Sequence, residues 1–157
     1  DWYADELPRV IAKSEFVIEK GEHLLDTSIY EFMEKVHIAI DLYTELEPID
    51  PDLNGESVRA GKYFANHIRN RFEEDEWASI ARQLRSFIFK TRALLEHHYM
   101  VIDVNHPGNL VLTNDGTLKL LDTDKIFDAR QFSRKKINFY LDAMEYAAQA
   151  LDDIKKV

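Results

Sequence analysis

The chain has 157 residues, 45% of them hydrophobic and 31% charged, with a formal net charge of −9. That length and apolar content support one core, while the acidic balance argues against a general nucleic-acid binder, which needs clustered Lys and Arg to neutralise phosphates. The absence of cysteine excludes disulfides, thiolate metal sites and a thiol nucleophile and fits a reducing, cytoplasmic setting, and no apolar run is long enough for a transmembrane segment.

Residues 7–20 hold two β-branched or aromatic runs, Val10-Ile11 and Phe16-Val17-Ile18, which read as short strands or strand ends before Gly21. Asp26-Thr27-Ser28 followed by Glu31 has capping-box spacing. Ile29, Phe32, Met33, Val36, Ile40 and Tyr43 then recur at helical spacing, which predicts a helix closed by Pro48 and Pro51.

After Asn54-Gly55, a stripe of Val58, Tyr63, Phe64, His67, Ile68 and Phe72 predicts a second helix. The acids Glu73-Glu74-Asp75-Glu76 suit the positive end of a third, whose stripe runs Trp77, Ile80, Ala81, Leu84, Phe87, Ile88, Thr91 and Leu95. His97-His98 are adjacent, cannot share a helix face and read as a helix end. Beyond them the pattern is an extended segment (99–104), a tight loop (105–109) and two strands joined by Asn114-Asp115-Gly116, a hairpin signal because φ above zero is tolerated there. The last thirty residues return to helix through Phe132, Ile137, Tyr140, Leu141, Met144, Ala148, Leu151 and Ile154, with Arg134-Lys135-Lys136 at its start as either a solvated face or a contact for an acidic partner.

The span 101–124 carries the chemistry. Phosphoryl transfer needs a carboxylate near the acceptor hydroxyl and hard oxygen ligands that hold Mg2+ against nucleotide phosphates. Asn109 ends the Pro-Gly loop and Asp122 ends the hairpin after it, so a hairpin here returns both to one edge, where they can address one metal.

This stretch resembles the catalytic and metal-binding loops of the protein-kinase superfamily, in particular its aminoglycoside-phosphotransferase-like and lipopolysaccharide-kinase-like branches. The resemblance rests on His106-Pro107-Gly108-Asn109 followed by Leu-Val-Leu, and on Leu120-Leu121-Asp122-Thr123-Asp124. It implies a single α+β, mostly helical kinase-like C-lobe with a short hairpin: a residual N-lobe strand and hinge at 1–21, a helical scaffold at 22–98, the catalytic and metal loops at 99–127 and a C-terminal helix at 128–157. It further implies ATP and Mg2+ as ligands, with Asn109 and Asp122 on the metal and His106 near the transferred phosphate. Val111 and Leu121 would form the floor under the adenine, and the backbone from Glu19 to Gly21 the hinge along its edge. Asp124 is either a further metal ligand or a solvent-facing acid. The acceptor would be a hydroxyl on a protein or a sugar.

Two departures from that family pattern bear on activity. Counting back from Asn109 by the family's spacing reaches Val104, with Asp103 one residue upstream. Either a one-residue insertion lets Asp103 orient the acceptor, or the position is lost and the chain is a pseudokinase or truncated lobe that binds another protein. In addition, no glycine-rich loop precedes residue 10, and Lys13 stands too near the expected hinge to leave room for the usual intervening helix, so it reads as a surface residue. Without that Lys and the phosphate-covering loop the chain alone is expected to bind ATP weakly and transfer phosphate poorly, if at all, and its start at Asp1 without a Met suggests a segment of something longer. An all-helical interaction domain whose loop matches by chance is the third reading.

Overall fold

The computed structural model describes residues 3, 5–7, 10–20, 24–33, 37–42, 56–102, 108–121, 126–131 and 134–153, with backbone alone over 10–20 and 24–33 and at 126 and 131. The order is β1 (Val10–Lys20), β2 (Leu24–Met33), β3 (Ile38–Asp41), α1 (Glu56–Arg71), α2 (Glu74–His98), β4 (Met100–Ile102), β5 (Leu110–Thr113), β6 (Leu118–Leu120), β7 (Ile126–Asp128), a 3-10 turn (Ala129–Gln131) and α3 (Arg134–Asp153). This is an α+β fold, and among the described residues the strands form three small antiparallel sheets, β1-β2, β3-β5-β6 and β4-β7.

The first half departs from the helix expected after Ser28. Leu24–Met33 is a strand, paired antiparallel with β1 from Lys20↔Leu24 to Val10↔Met33. Thr27, Ile29, Tyr30 and Phe32 are β-branched or aromatic and fit a pleated surface, and a local partner was at hand in β1. The helical spacing of Ile29, Phe32 and Met33 covers too few residues to separate the two periods. Val10-Ile11 and Phe16–Ile18 belong to this one continuous β1, and Ile38–Asp41 forms β3. Among the described residues, the scaffold expected as helix over 22–98 is strand at Leu24–Met33 and Ile38–Asp41, helical at Leu42 and helical again from Glu56. Val36, Tyr43, Pro48 and Pro51 lie outside them.

The helices follow their sequence stripes more closely. In α2 the buried residues are Ile80, Ala81, Leu84, Phe87, Ile88, Thr91 and Leu95. Its acidic start is a cap: the Glu73 N–H donates to the Glu76 carboxylate at 2.9 Å. It ends at Tyr99, which adopts a left-handed φ of 52° and donates its N–H to the Leu94 carbonyl.

α1 turns a different residue set inward. Tyr63 is exposed, and Ala60, Gly61, Phe64, Ala65 and Ile68 are buried. The cause is its close crossing of α3, where a Cβ on Gly61 would lie 2.5 Å from the Tyr146 Cβ and 2.6 Å from the Ala143 carbonyl oxygen. Phe64, Ile68, Ile80, Leu84, Phe87, Ile137, Leu141 and Met144 fill the space between the three helices, and Arg92 joins α2 to α3 through Asp142 and Glu145 at 2.8 and 2.9 Å.

The helix expected over 128–157 begins at Arg134, because 126–128 pairs with β4 in the register Met100↔Asp128 to Ile102↔Ile126. Residues 3 and 5–7, assigned above to the N-lobe remnant, lie against α2. Tyr3 is buried beside Phe87 with ring centroids 5.6 Å apart, and its hydroxyl lies 3.0 Å from Thr91 Oγ1.

Candidate functional site

The β5–β6 hairpin forms where the sequence placed it. Gly116 takes a φ of +77°, which an L side chain adopts only with strain, and its N–H donates to the Thr113 carbonyl at 3.0 Å. The Thr113 hydroxyl, and then that of Thr117, hold the Asp115 carboxyl below the usual carboxylate range, so both acid and glycine serve the turn. From α2, Gln83 grips this turn at both ends: its Nε2 donates to the Gly116 carbonyl and its Oε1 accepts from the Leu118 N–H, each at 2.8 Å.

Strand alternation then sorts the hairpin into two faces. Leu110, Leu112, Leu118 and Leu120, with Ile40 opposite Leu112, face the core. Val111 and Lys119 share the other face with Asp41, which pairs with Val111. The register runs one step further, since the Leu121 N–H donates to the Asn109 carbonyl at 2.8 Å. Asn109 and Leu121 therefore stand opposite each other, in phase with Val111 and Lys119, at the open end of the hairpin.

The described site residues occupy graded environments. Asn109 is 6% exposed, Val111 is fully buried and Leu121 is half-buried. The buried state of Val111 leaves Leu121 as the accessible member of the expected adenine floor. Glu19 lies within β1 opposite Leu25, and its side chain is outside the description. Gly21, Asp103, His106, Asp122 and Asp124 lie outside the described residues, as does Val104. Asp122 follows Leu121 by one peptide bond. Among the described residues no three His, Asp or Glu side chains gather to hold a metal ion. Asn109 and Asp122 nevertheless offer the hard oxygen donors that suit Mg2+.

Sequence reasoning missed Asp41. Its Oδ2 accepts the Gly108 N–H at 2.9 Å, beside Asn109, and the only sequence signal was an acid closing the run Ile38-Ala39-Ile40. It also missed the segment lining the outer edge of β6. The Leu120 N–H donates to the Glu6 carbonyl at 2.7 Å, and the Lys119 ammonium reaches the Leu7 carbonyl at 3.2 Å. The buried Glu6 carboxylate meets Lys90 at 3.0 Å; burial alone would lower the Lys90 pKa, but Glu6 and then Asp5 outweigh it and raise it.

Among the described residues, surface cavities lie along α2 and at its C-terminal end, lined by neither Asn109 nor Leu121. One of about 140 Å³ is lined by Asp5, Glu6, Arg82, Gln83, Ser86 and Leu118. Another, of about 290 Å³, lies among His98, Tyr99, Met100, Phe127, Asp128 and Arg130, where the two-pronged Arg130 pair lowers the Asp128 carboxyl to about 2. No described helix is long and apolar enough to cross a membrane. Comparison with protein-family models, curated proteins and solved structures finds no match to this chain.

Proposed function

We propose that the chain is the kinase-like C-lobe of an ATP- and Mg2+-dependent phosphotransferase that moves a phosphoryl group to a hydroxyl on a protein or sugar. The observation that carries this reading is the Asn109–Leu121 backbone pair, because it puts Asn109 at the hairpin end from which the chain runs directly into Asp122. In this reading Asn109 and Asp122 supply oxygen ligands, Asp124 is either a further ligand or a solvent-facing acid, Asp103 orients the acceptor hydroxyl and His106 serves the transferred phosphate. Leu121 offers apolar surface on the same face. Mg2+, when bound, neutralises charge on the phosphates, and positioning then does most of the catalytic work.

A second reading has its own support. Val104 stands where the family's spacing places the catalytic Asp, which favours a pseudokinase or truncated lobe that engages another protein. Titration with Mg2+-ATP to millimolar concentration separates the two. A rise in melting temperature supports the nucleotide site, and no rise supports the binding module. In a protein extended upstream, Asp103→Ala and Asp122→Ala should each abolish ATP turnover. Turnover unchanged by both would overturn the enzyme reading.

A further inference from the structure

We infer that Asp41 is the positioning residue of the metal-binding amide, holding Asn109 in place through the backbone of Gly108; the inference rests on the phosphotransferase reading above. Three observations meet at this point. Asp41 stands opposite Val111 on the hairpin face that also carries Asn109 and Leu121. Its carboxylate Oδ2 accepts the Gly108 N–H at 2.9 Å. Gly108 has a φ of +80°, a conformation open to glycine without strain, and no described atom lies within 4 Å of where a Cβ would sit.

A glycine has more accessible backbone conformations than any other residue, and each would aim the next residue differently. A charge-assisted bond to its N–H selects one of them. Asp41 is itself anchored, because β3 is paired to β5 from Ile38↔Thr113 to Asp41↔Val111 and the Asn114 N–H donates to the His37 carbonyl at 2.8 Å. The ladder that holds Asp41 is thus the one that carries Asn109. Asp41 acts through Gly108 and is not assigned to the metal.

The test uses the 157-residue chain and reads the Mg2+ concentration that half-saturates ATP binding, alongside the melting temperature without ligand. Asp41→Ala removes the acceptor and should raise the Mg2+ requirement about tenfold, which is about 1.4 kcal/mol. Asp41→Asn keeps an oxygen that accepts the Gly108 N–H and should stay within about twofold of the parent. Should Asp41→Ala fail to fold, Asp41→Ser, which removes the carboxylate and shortens the side chain, is read in its place. A lower melting temperature with an unchanged Mg2+ requirement would make Asp41 merely structural and overturn the inference. Equal losses in Asp41→Asn and Asp41→Ala would make the carboxylate a ligand, which also overturns it. A parent chain that binds no Mg2+-ATP overturns the phosphotransferase reading first, whereas a parent that binds while Asp41→Ala matches it overturns this inference alone.

Discussion

The backbone N–H of Leu121 donates to the carbonyl of Asn109 at 2.8 Å, one register step beyond the last paired residues of β5 and β6. This bond closes the hairpin at the end where the Pro-Gly loop arrives and the acidic segment leaves. A strand slip of one residue would turn Val111 toward the core and Leu112 away from it, so the four leucines on the core face lock the register that sets Asn109 opposite Leu121.

The hairpin's far end depends on Gln83. Gln83→Ala leaves the Gly116 carbonyl and the Leu118 N–H without their side-chain partner, at a cost of about 1–3 kcal/mol. Urea denaturation should show a lower midpoint, and amide exchange at Leu118 should speed up. Unchanged exchange there would mean that the turn holds itself.

Gly61→Ala sets two effects against each other. Alanine improves helix propensity by about 1 kcal/mol. The added Cβ, however, would meet the Ala143 carbonyl at 2.6 Å and the Tyr146 Cβ at 2.5 Å, and backbone atoms do not yield as a flexible side chain does. The clash should win, with a net loss of about 1–3 kcal/mol in denaturant unfolding. A stabilised variant would contradict the close α1–α3 crossing.

Tyr3 gives the fold an alkaline limit. Burial raises its pKa to about 12 and the nearby Glu6 adds to the rise, while the Thr91 hydrogen bond opposes it. A folded-state pKa above the unfolded value of about 10 means stability that is complete below pH 10 and lost as pH rises toward 12. Thermal unfolding across that range should show this loss in the parent and a smaller one in Tyr3→Phe. Identical profiles would mean that Tyr3 ionises in place without strain.

The Glu6–Lys90 pair ties the start of the chain to α2. Lys90→Met strands a carboxylate whose side chain is 5% exposed and should cost about 3 kcal/mol. Adding Glu6→Gln should recover part of that loss in a double-mutant cycle. Additive losses would show that the two groups do not interact.

How much was legible depended on how much sequence each signal spanned. The stripe of α2 repeats from Trp77 to Leu95, about five turns, and named its buried face residue by residue, and Asn114-Asp115-Gly116 marked its hairpin because turn chemistry is local. Ile29, Phe32 and Met33 fit helix and strand alike, and pairing with β1 decided the matter. β7 was hidden because Ile126–Asp128 is three residues long and depends on a partner strand 24 to 28 positions earlier at Met100–Ile102. Asp41 and Glu6 were illegible for a related reason: each matters through a contact 67 or 84 residues away.

The most direct test of the central claim is Mn2+ binding, followed by electron paramagnetic resonance in the presence of ATP, for the parent chain, Asn109→Ala, Asp122→Asn and the double variant. Convergence on one cation predicts nucleotide-dependent binding in the parent, a loss of about tenfold or more in each single variant, and little further loss in the double. Binding that is absent from the parent at millimolar nucleotide, or unchanged in both single variants, would contradict it.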